Sequence, residues 1–203
     1  MRIGAPTNDA DAAFDRLADE IRACRHCAAH LPLGPRPLFR GRPSARLLIV
    51  SQAPGSRAHR SGLSFDDPSG QRLRDWLGIE HAAFYDESRV AIVPVGLCYP
   101  GRSGAGDRPP LPECAPLWHP RLLPHFAAVR LTLLVGSYAI RRCLPQCARQ
   151  PAGAVLARWR EFLPGLFVLP HPSWRGALWE RQNPWFAAEM LPMLREAVAQ
   201  ALR

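Results

Sequence analysis

Six cysteines and three short polar loops carry most of the reactive chemistry in this 203-residue chain. Cys24 and Cys27 form a Cys-x-x-Cys pair, and Cys98 and Cys114 are separated by fifteen residues. Four thiolates hold either a tetrahedral zinc ion or an iron-sulfur cluster. Unligated, they would be plain thiols, and the Cys-x-x-Cys spacing argues for ligation. Cys143 and Cys147 have no partner pair of their own and read as core thiols. The loops are Ser51-Gln52-Ala53-Pro54-Gly55, Phe65-Asp66-Asp67-Pro68-Ser69-Gly70 and His171-Pro172-Ser173. Asp66 and Asp67 are paired carboxylates, able to position water or offset a cation. Asp-Pro-Ser ahead of a helix is equally a capping sequence. A histidine before proline either closes a strand-end turn or offers a donor that changes charge near physiological pH.

Rigid elements must position those loops, and the hydrophobic pattern supplies them. The apolar runs Arg46 to Val50, Val90 to Val95, Leu131 to Val135 and Leu166 to Leu169 are continuous rather than alternating, as strands buried on both faces are. Helical periodicity fills the intervals at Ser69 to Leu77, Leu111 to Phe126, Ser137 to Leu144 and Gly153 to Leu163. An amphipathic helix over Asp11 to Cys24 leads into the first cysteine pair, and the Pro/Gly/Arg-rich stretch Leu31 to Pro43 reads as an extended arm. The last segment opens at Asn183 with Pro184 in the first helical position, and Pro192 is expected to kink it. This alternation predicts one α/β domain over residues 1–203, a three-layer α/β/α sandwich with a central four-stranded, mainly parallel sheet. Ligands of such sheets bind at the carboxyl ends of the strands, where the first and third polar loops fall.

The chain has 26 basic and 17 acidic side chains, a formal net charge of +9, and every basic one is arginine. The excess suggests an anionic polymer as partner, and guanidinium groups favour bidentate phosphate contact. Codon bias would also replace lysine by arginine. The absence of lysine excludes a phosphate loop ending in Gly-Lys and all lysine Schiff-base chemistry. No apolar run approaches the ~20 residues of a membrane helix. Asp9, Asp11, Asp15 and Glu20 stand where a signal peptide would be basic and then apolar. A cytoplasmic monomer with reduced cysteines is expected.

Together these motifs resemble the uracil-DNA glycosylase superfamily. Gln52-Ala53-Pro54 after the first strand and His171-Pro172-Ser173 after the last resemble its two signature motifs. Phe65 and its flanking residues look like the loop that carries the base-stacking aromatic in the iron-sulfur glycosylases of thermophiles. The four cysteines are similar to that branch in order and spacing, and the resemblance covers almost the whole chain. It implies hydrolysis of the N-glycosidic bond of uracil or another deaminated base flipped out of DNA. His171 would donate a hydrogen bond to the departing base, Phe65 would stack on that base or else anchor its loop, and Asp67 and Asp66 would support the sugar cation. Gln52, Ala53, Pro54, Gly55 and Ser173 would frame the base. Cys24, Cys27, Cys98 and Cys114 would hold a [4Fe-4S] cluster in preference to zinc. Arg36, Arg40 and Arg42 in the arm, with Trp174 and Arg175, would contact DNA, while Trp179 and Trp185 would pack. With no lysine to form an imine, the abasic site would be left intact.

Two positions depart from the superfamily pattern. Ala53 replaces an acidic residue common in the first motif, and Pro94 stands where an asparagine commonly reads the uracil edge. A branch with broader base specificity lacks both, and Phe65 to Gly70 resemble it. Two other readings stand beside the enzyme: a non-catalytic relative that kept fold and cluster, and a zinc-stabilised nucleic-acid-binding protein.

Overall fold

A computed structural model describes residues 9–104, 106–173 and 176–203. Its helices in chain order are α1 (Asp9–Arg22), α2 (Ser56–Ser61), α3 (Pro68–Leu77), α4 (His81–Phe84), α5 (Cys114–Leu122), α6 (Ser137–Cys143), α7 (Ala152–Ala157), α8 (Gly176–Gln182) and α9 (Leu191–Ala201). The strands are β1 (Leu47–Ser51), β2 (Val90–Pro94), the short pair β3 (Arg102–Ser103) and β4 (Gly106–Asp107), β5 (Leu131–Val135) and β6 (Leu166–Leu169). The four long strands make one sheet in the order β2-β1-β5-β6, parallel throughout and flanked by helices, the expected three-layer α/β/α arrangement. Ile49 lies in register with Ile92 on one side and Leu133 on the other, and Leu133 with Phe167. Every residue of β1 and β2 is buried, as their unbroken apolar sequences require.

Local chemistry explains the helix boundaries. α1 buries Phe14, Leu17, Ala18 and Ile21 and places Asp9 and Asp11 at its start, where the helix dipole favours carboxylates. α3 opens with Asp67 as N-cap and Pro68 behind it, and stops at Gly78 in a left-handed conformation. Two expected helices are shorter than their periodicity suggested. α5 gives way to a 3-10 turn at Leu123–His125, where Pro124 lacks an N–H, and α7 is followed by a 3-10 turn at Trp159–Phe162. The irregularity expected at Pro192 lies earlier, in a π turn at Phe186–Met190. Pro192 itself occupies the first turn of α9, where no N–H is needed. Around that turn Phe186 meets Trp76 at 5.0 Å and Trp179 at 5.5 Å, and Trp179 meets Trp185 at 5.7 Å, so the tryptophan-rich tail packs.

The arm runs along the free edge of β2. Arg40 exchanges both backbone hydrogen bonds with Ile92 at 2.9 Å, and Leu38 N–H donates to the Leu97 carbonyl at 2.7 Å. Covering this edge blocks pairing with another chain. It also brings the arm arginines, expected to contact DNA, against acceptors of the protein itself. Arg36 donates to the carbonyls of His59 and Arg60, Arg40 pairs with Glu87 at 2.8 Å, and Arg42 pairs with Asp15 and Asp11. The edge register decides this outcome, because it places each guanidinium over a neighbouring loop or α1.

Candidate active site

At the carboxyl edge of the sheet the loops after β1 and β6, the segment before α3 and the β3–β4 hairpin surround a cleft of about 530 Å³, a size typical of small-ligand sites. Gln52, Ala53, Pro54 and Gly55 line it, with Phe65 and Asp67 from the segment before α3 and His171 and Ser173 from the loop after β6. From the β2 side come Pro94, Arg102 and Asp107. Thus eight residues expected at the site from sequence share one cleft. Asp66 is not among them and faces Arg57 at 3.7 Å. Trp174 and Arg175 lie outside the described residues.

Backbone bonds fix the cleft floor. Val95 N–H donates to the Ser51 carbonyl at 2.8 Å and Gly96 N–H to that of Gln52 at 2.9 Å, extending the β1–β2 pairing beyond the strands. Phe65 is held differently. Its φ of 61° makes it the one non-glycine residue with positive φ among the described residues, a conformation that costs energy unless neighbours enforce it. A Cβ on Gly70 would fall 1.7 Å from the Phe65 carbonyl oxygen, so only glycine lets α3 approach this closely. The Tyr85 hydroxyl donates to the Ser64 carbonyl at 2.9 Å, and the buried Arg74 guanidinium stands 5.5 Å from the Phe84 ring and 5.8 Å from that of Tyr85. The Phe65 ring meets Phe84 edge-on at 6.0 Å. Asp67 does both jobs weighed for it, lining the cleft while its Oδ1 accepts from Gly70 N–H at 2.9 Å as the cap of α3. The Ser64 hydroxyl also borders the cleft, buried and without a hydrogen-bond partner among the described residues.

His171 stands beside Gly136, whose φ of 86° makes the turn out of β5. Burial pushes the His171 pKa below its ordinary value, against the opposing pull of Asp67 and Asp107. The imidazole is therefore neutral near pH 7 and able to donate one hydrogen bond. Burial raises the pKa of Asp107; Arg102, the Tyr99 hydroxyl and His171 pull it down, and Asp67 pushes it further up. Both side chains keep solvent contact through the cleft mouth, so each shift reflects crowding by protein on one side.

The four paired cysteines line a second cavity with Pro35, Leu97 and Trp118. Leu97 N–H donates to Cys114 Sγ at 3.3 Å, and the Arg36 backbone bonds to the Cys98 thiol. Burial pushes Cys98 up to about 12 and Cys114 up to about 11, with the other thiols adding to it. A bound cation would reverse that preference, since coordination deprotonates a thiol outright. Among the described residues no group of three or more His, Cys, Asp or Glu side chains is closed around the position of one metal ion. Cys147 is buried in the core and Cys143 packs partly buried against it.

A family model described as the uracil DNA glycosylase superfamily matches residues 39–195. The chain belongs to that superfamily. The matched span begins in the arm, ends in α9 and contains every loop of the cleft, together with Cys98 and Cys114 but not Cys24 and Cys27. Membership points to DNA glycosylase chemistry and to DNA as the polymer. No helix among the described residues is long and apolar enough to cross a membrane.

The sequence reading passed over Asp107, Arg102, Ser64, Tyr85 and Arg74. For Asp107 a signal existed: Gly101, Gly104 and Gly106 mark a turn, and a hairpin there returns the chain to the strand-end surface. Gly70→Ala is expected to force the Phe65 backbone out of its left-handed position, an overpacking cost of about 1–3 kcal/mol. Thermal unfolding checks it, and an unchanged midpoint would show that the Phe65 loop is not clamped against α3.

Proposed function

We propose that the protein is a monofunctional DNA glycosylase that hydrolyses the N-glycosidic bond of uracil or another deaminated base, with a [4Fe-4S] cluster on Cys24, Cys27, Cys98 and Cys114. The observation that supports this best is the meeting of a neutral donor, His171, and a clamped aromatic, Phe65, over Gln52–Gly55 in one cleft of a chain from this superfamily. A base turned out of the duplex stacks on Phe65. As the C1′–N bond breaks, its electron pair leaves with the base, and the His171 N–H stabilises the charge growing on a base oxygen. Positive charge develops on the sugar, and the Asp67 oxygen not used in capping attracts it. Water adds to C1′, and the proton it loses is taken up by the departed base anion. Asp66, turned toward Arg57, contributes less. Arg102 at the cleft and the exposed Arg57 on α2 offer phosphate contacts.

The cysteine cavity fits the proposed group. Four thiols converge on it with backbone N–H donors to sulfur. Once bound, the group supplies positive charge to four thiolates and ties the end of α1 to the loop after β2. Ala53 and Pro94 give the cleft no polar side chain, the one feature that favours a non-catalytic relative instead.

Single-turnover assays on oligonucleotides containing uracil, hypoxanthine or xanthine decide between these readings. Excision of at least one base is expected, and His171→Ala should slow it about 10²-fold to 10³-fold with little change in affinity for abasic DNA, since phosphate contacts dominate binding. A parent protein that binds these DNAs and excises nothing supports the non-catalytic relative. Borohydride should trap no covalent adduct, because no lysine exists to form an imine; an adduct through an internal residue would overturn monofunctionality. Purified protein should be brown, absorbing near ~400 nm. Cys98→Ser with Cys114→Ser should lose iron and stability together while Cys143→Ser keeps both, and full iron content in the double variant would refute the ligand set.

A further inference from the structure

Two segments supply the proposed chemistry, and they are held unequally. Phe65 and Asp67 are fixed to the start of α3 by the Asp67 cap and by the close approach of Gly70 to the Phe65 carbonyl. The loop after β6 is held more lightly. Its last contact with the sheet is the bond from Gly136 N–H to the Leu169 carbonyl at 2.9 Å. Pro170 and Pro172 then bracket His171, and neither has an N–H to donate. Among the described residues, one hydrogen bond reaches the stretch His171-Pro172-Ser173. It comes from Arg72, on the second turn of α3, whose Nη1 donates to the Ser173 carbonyl at 3.2 Å.

The guanidinium that makes this bond is itself held in place. Its Nη2 donates to Glu180 Oε1 on α8 at 2.6 Å, a partly buried ion pair, and it stands 5.7 Å from the Trp76 ring. The planar fork therefore offers Nη1 to Ser173 in a fixed direction. Only Pro172 separates Ser173 from His171, and its ring both fixes its own φ and confines the residue before it to extended backbone. A displacement of the Ser173 carbonyl is thus passed on to His171 with little slack. α3 holds Phe65 at its start and, through Arg72, the loop that carries the donor. Resting on the glycosylase reading above, we infer that Arg72 is a positioning residue, tying the His171 loop to α3 so that the donor and the Phe65 ring bear on the same base.

The test pairs excision with a titration that needs no turnover. Arg72→Leu keeps an apolar stem over Trp76 and removes both hydrogen bonds. Single-turnover excision of uracil should fall about 10²-fold, the scale of a small misplacement at a reacting centre. 5-Fluorouracil, whose anion departs with less help, should lose no more than about tenfold. Added to His171→Ala, the same substitution should cost little more, because the two residues act as one unit. Lower stability alone would slow both bases equally and would add to the His171→Ala loss. Glu180→Gln leaves Arg72 a neutral acceptor, and it should show the same ordering at smaller size with nearly the parent unfolding temperature. Arg72→Lys, with no fork to reach both acceptors, should fall between Arg72→Leu and the parent. The charges that act on His171 are those of Asp67 and Asp107, so its titration followed by NMR reports the loop rather than the lost guanidinium. In Arg72→Leu its pKa should return from the lowered position toward the ordinary value as burial, the larger influence, relaxes. Equal losses on the two bases, additivity with His171→Ala, or a His171 titration identical in parent and Arg72→Leu would each overturn the assignment. A parent that excises neither base refutes the glycosylase reading instead, and the His171 titration then still decides whether Arg72 holds the loop.

Discussion

Parallel strands can be joined only by crossovers that carry the chain back to the edge where it began. All four long strands of this sheet therefore end on the same side, and the loops after β1, β2 and β6 have to meet there. Burial on both faces makes that edge rigid: Ile49, Ile92 and Leu133 share one register and are fully enclosed. The two backbone bonds from Val95 and Gly96 to Ser51 and Gln52 carry the rigidity past the strand ends into the cleft floor. A site built this way needs few side chains of its own to hold its shape, which leaves Phe65, His171 and Asp107 free to face a ligand.

Charge is distributed in the opposite sense to bulk. The chain carries a formal net charge of +9, suited to an anionic polymer, while inside the cleft burial drives His171 and Asp107 toward their neutral forms. A neutral imidazole at His171 can donate a hydrogen bond to a carbonyl without placing a full charge beside an apolar ring.

The loop after β2 couples the cleft to the cysteine cavity. Pro94 lines the first, while Gly96, Leu97 and Cys98 line the second, and Gly96 also bonds to Gln52. A group that closed the cysteines together would thereby steady the cleft floor, so its contribution is through positioning. Arg36 serves the same junction, bonding to the Cys98 thiol through its backbone and to α2 carbonyls through its side chain.

Much of this was legible in the sequence because it depends on local pattern. Continuous apolar runs placed the four strands within a residue or two, Asp67-Pro68 marked the start of α3, and Gln52-Ala53-Pro54, Phe65 and His171-Pro172-Ser173 followed where a parallel sheet gathers its ligands. What escaped depends on distance through space. Arg36, Arg40 and Arg42 read as DNA contacts from the sequence, and the β2 edge register sets them against the carbonyls of α2, Glu87 and α1. Asp66 and Asp67 are neighbours in sequence, yet the cap of α3 keeps only Asp67 at the cleft. Asp107 belongs to no motif, and a two-residue strand has too little periodicity to announce itself. The sequence by itself determined the elements, their order and the motif residues, since each follows from side chains close along the chain. Only the tertiary structure decided which charges are spent within the protein and which carboxylate reaches the cleft, because burial and pairing depend on neighbours that folding alone brings together.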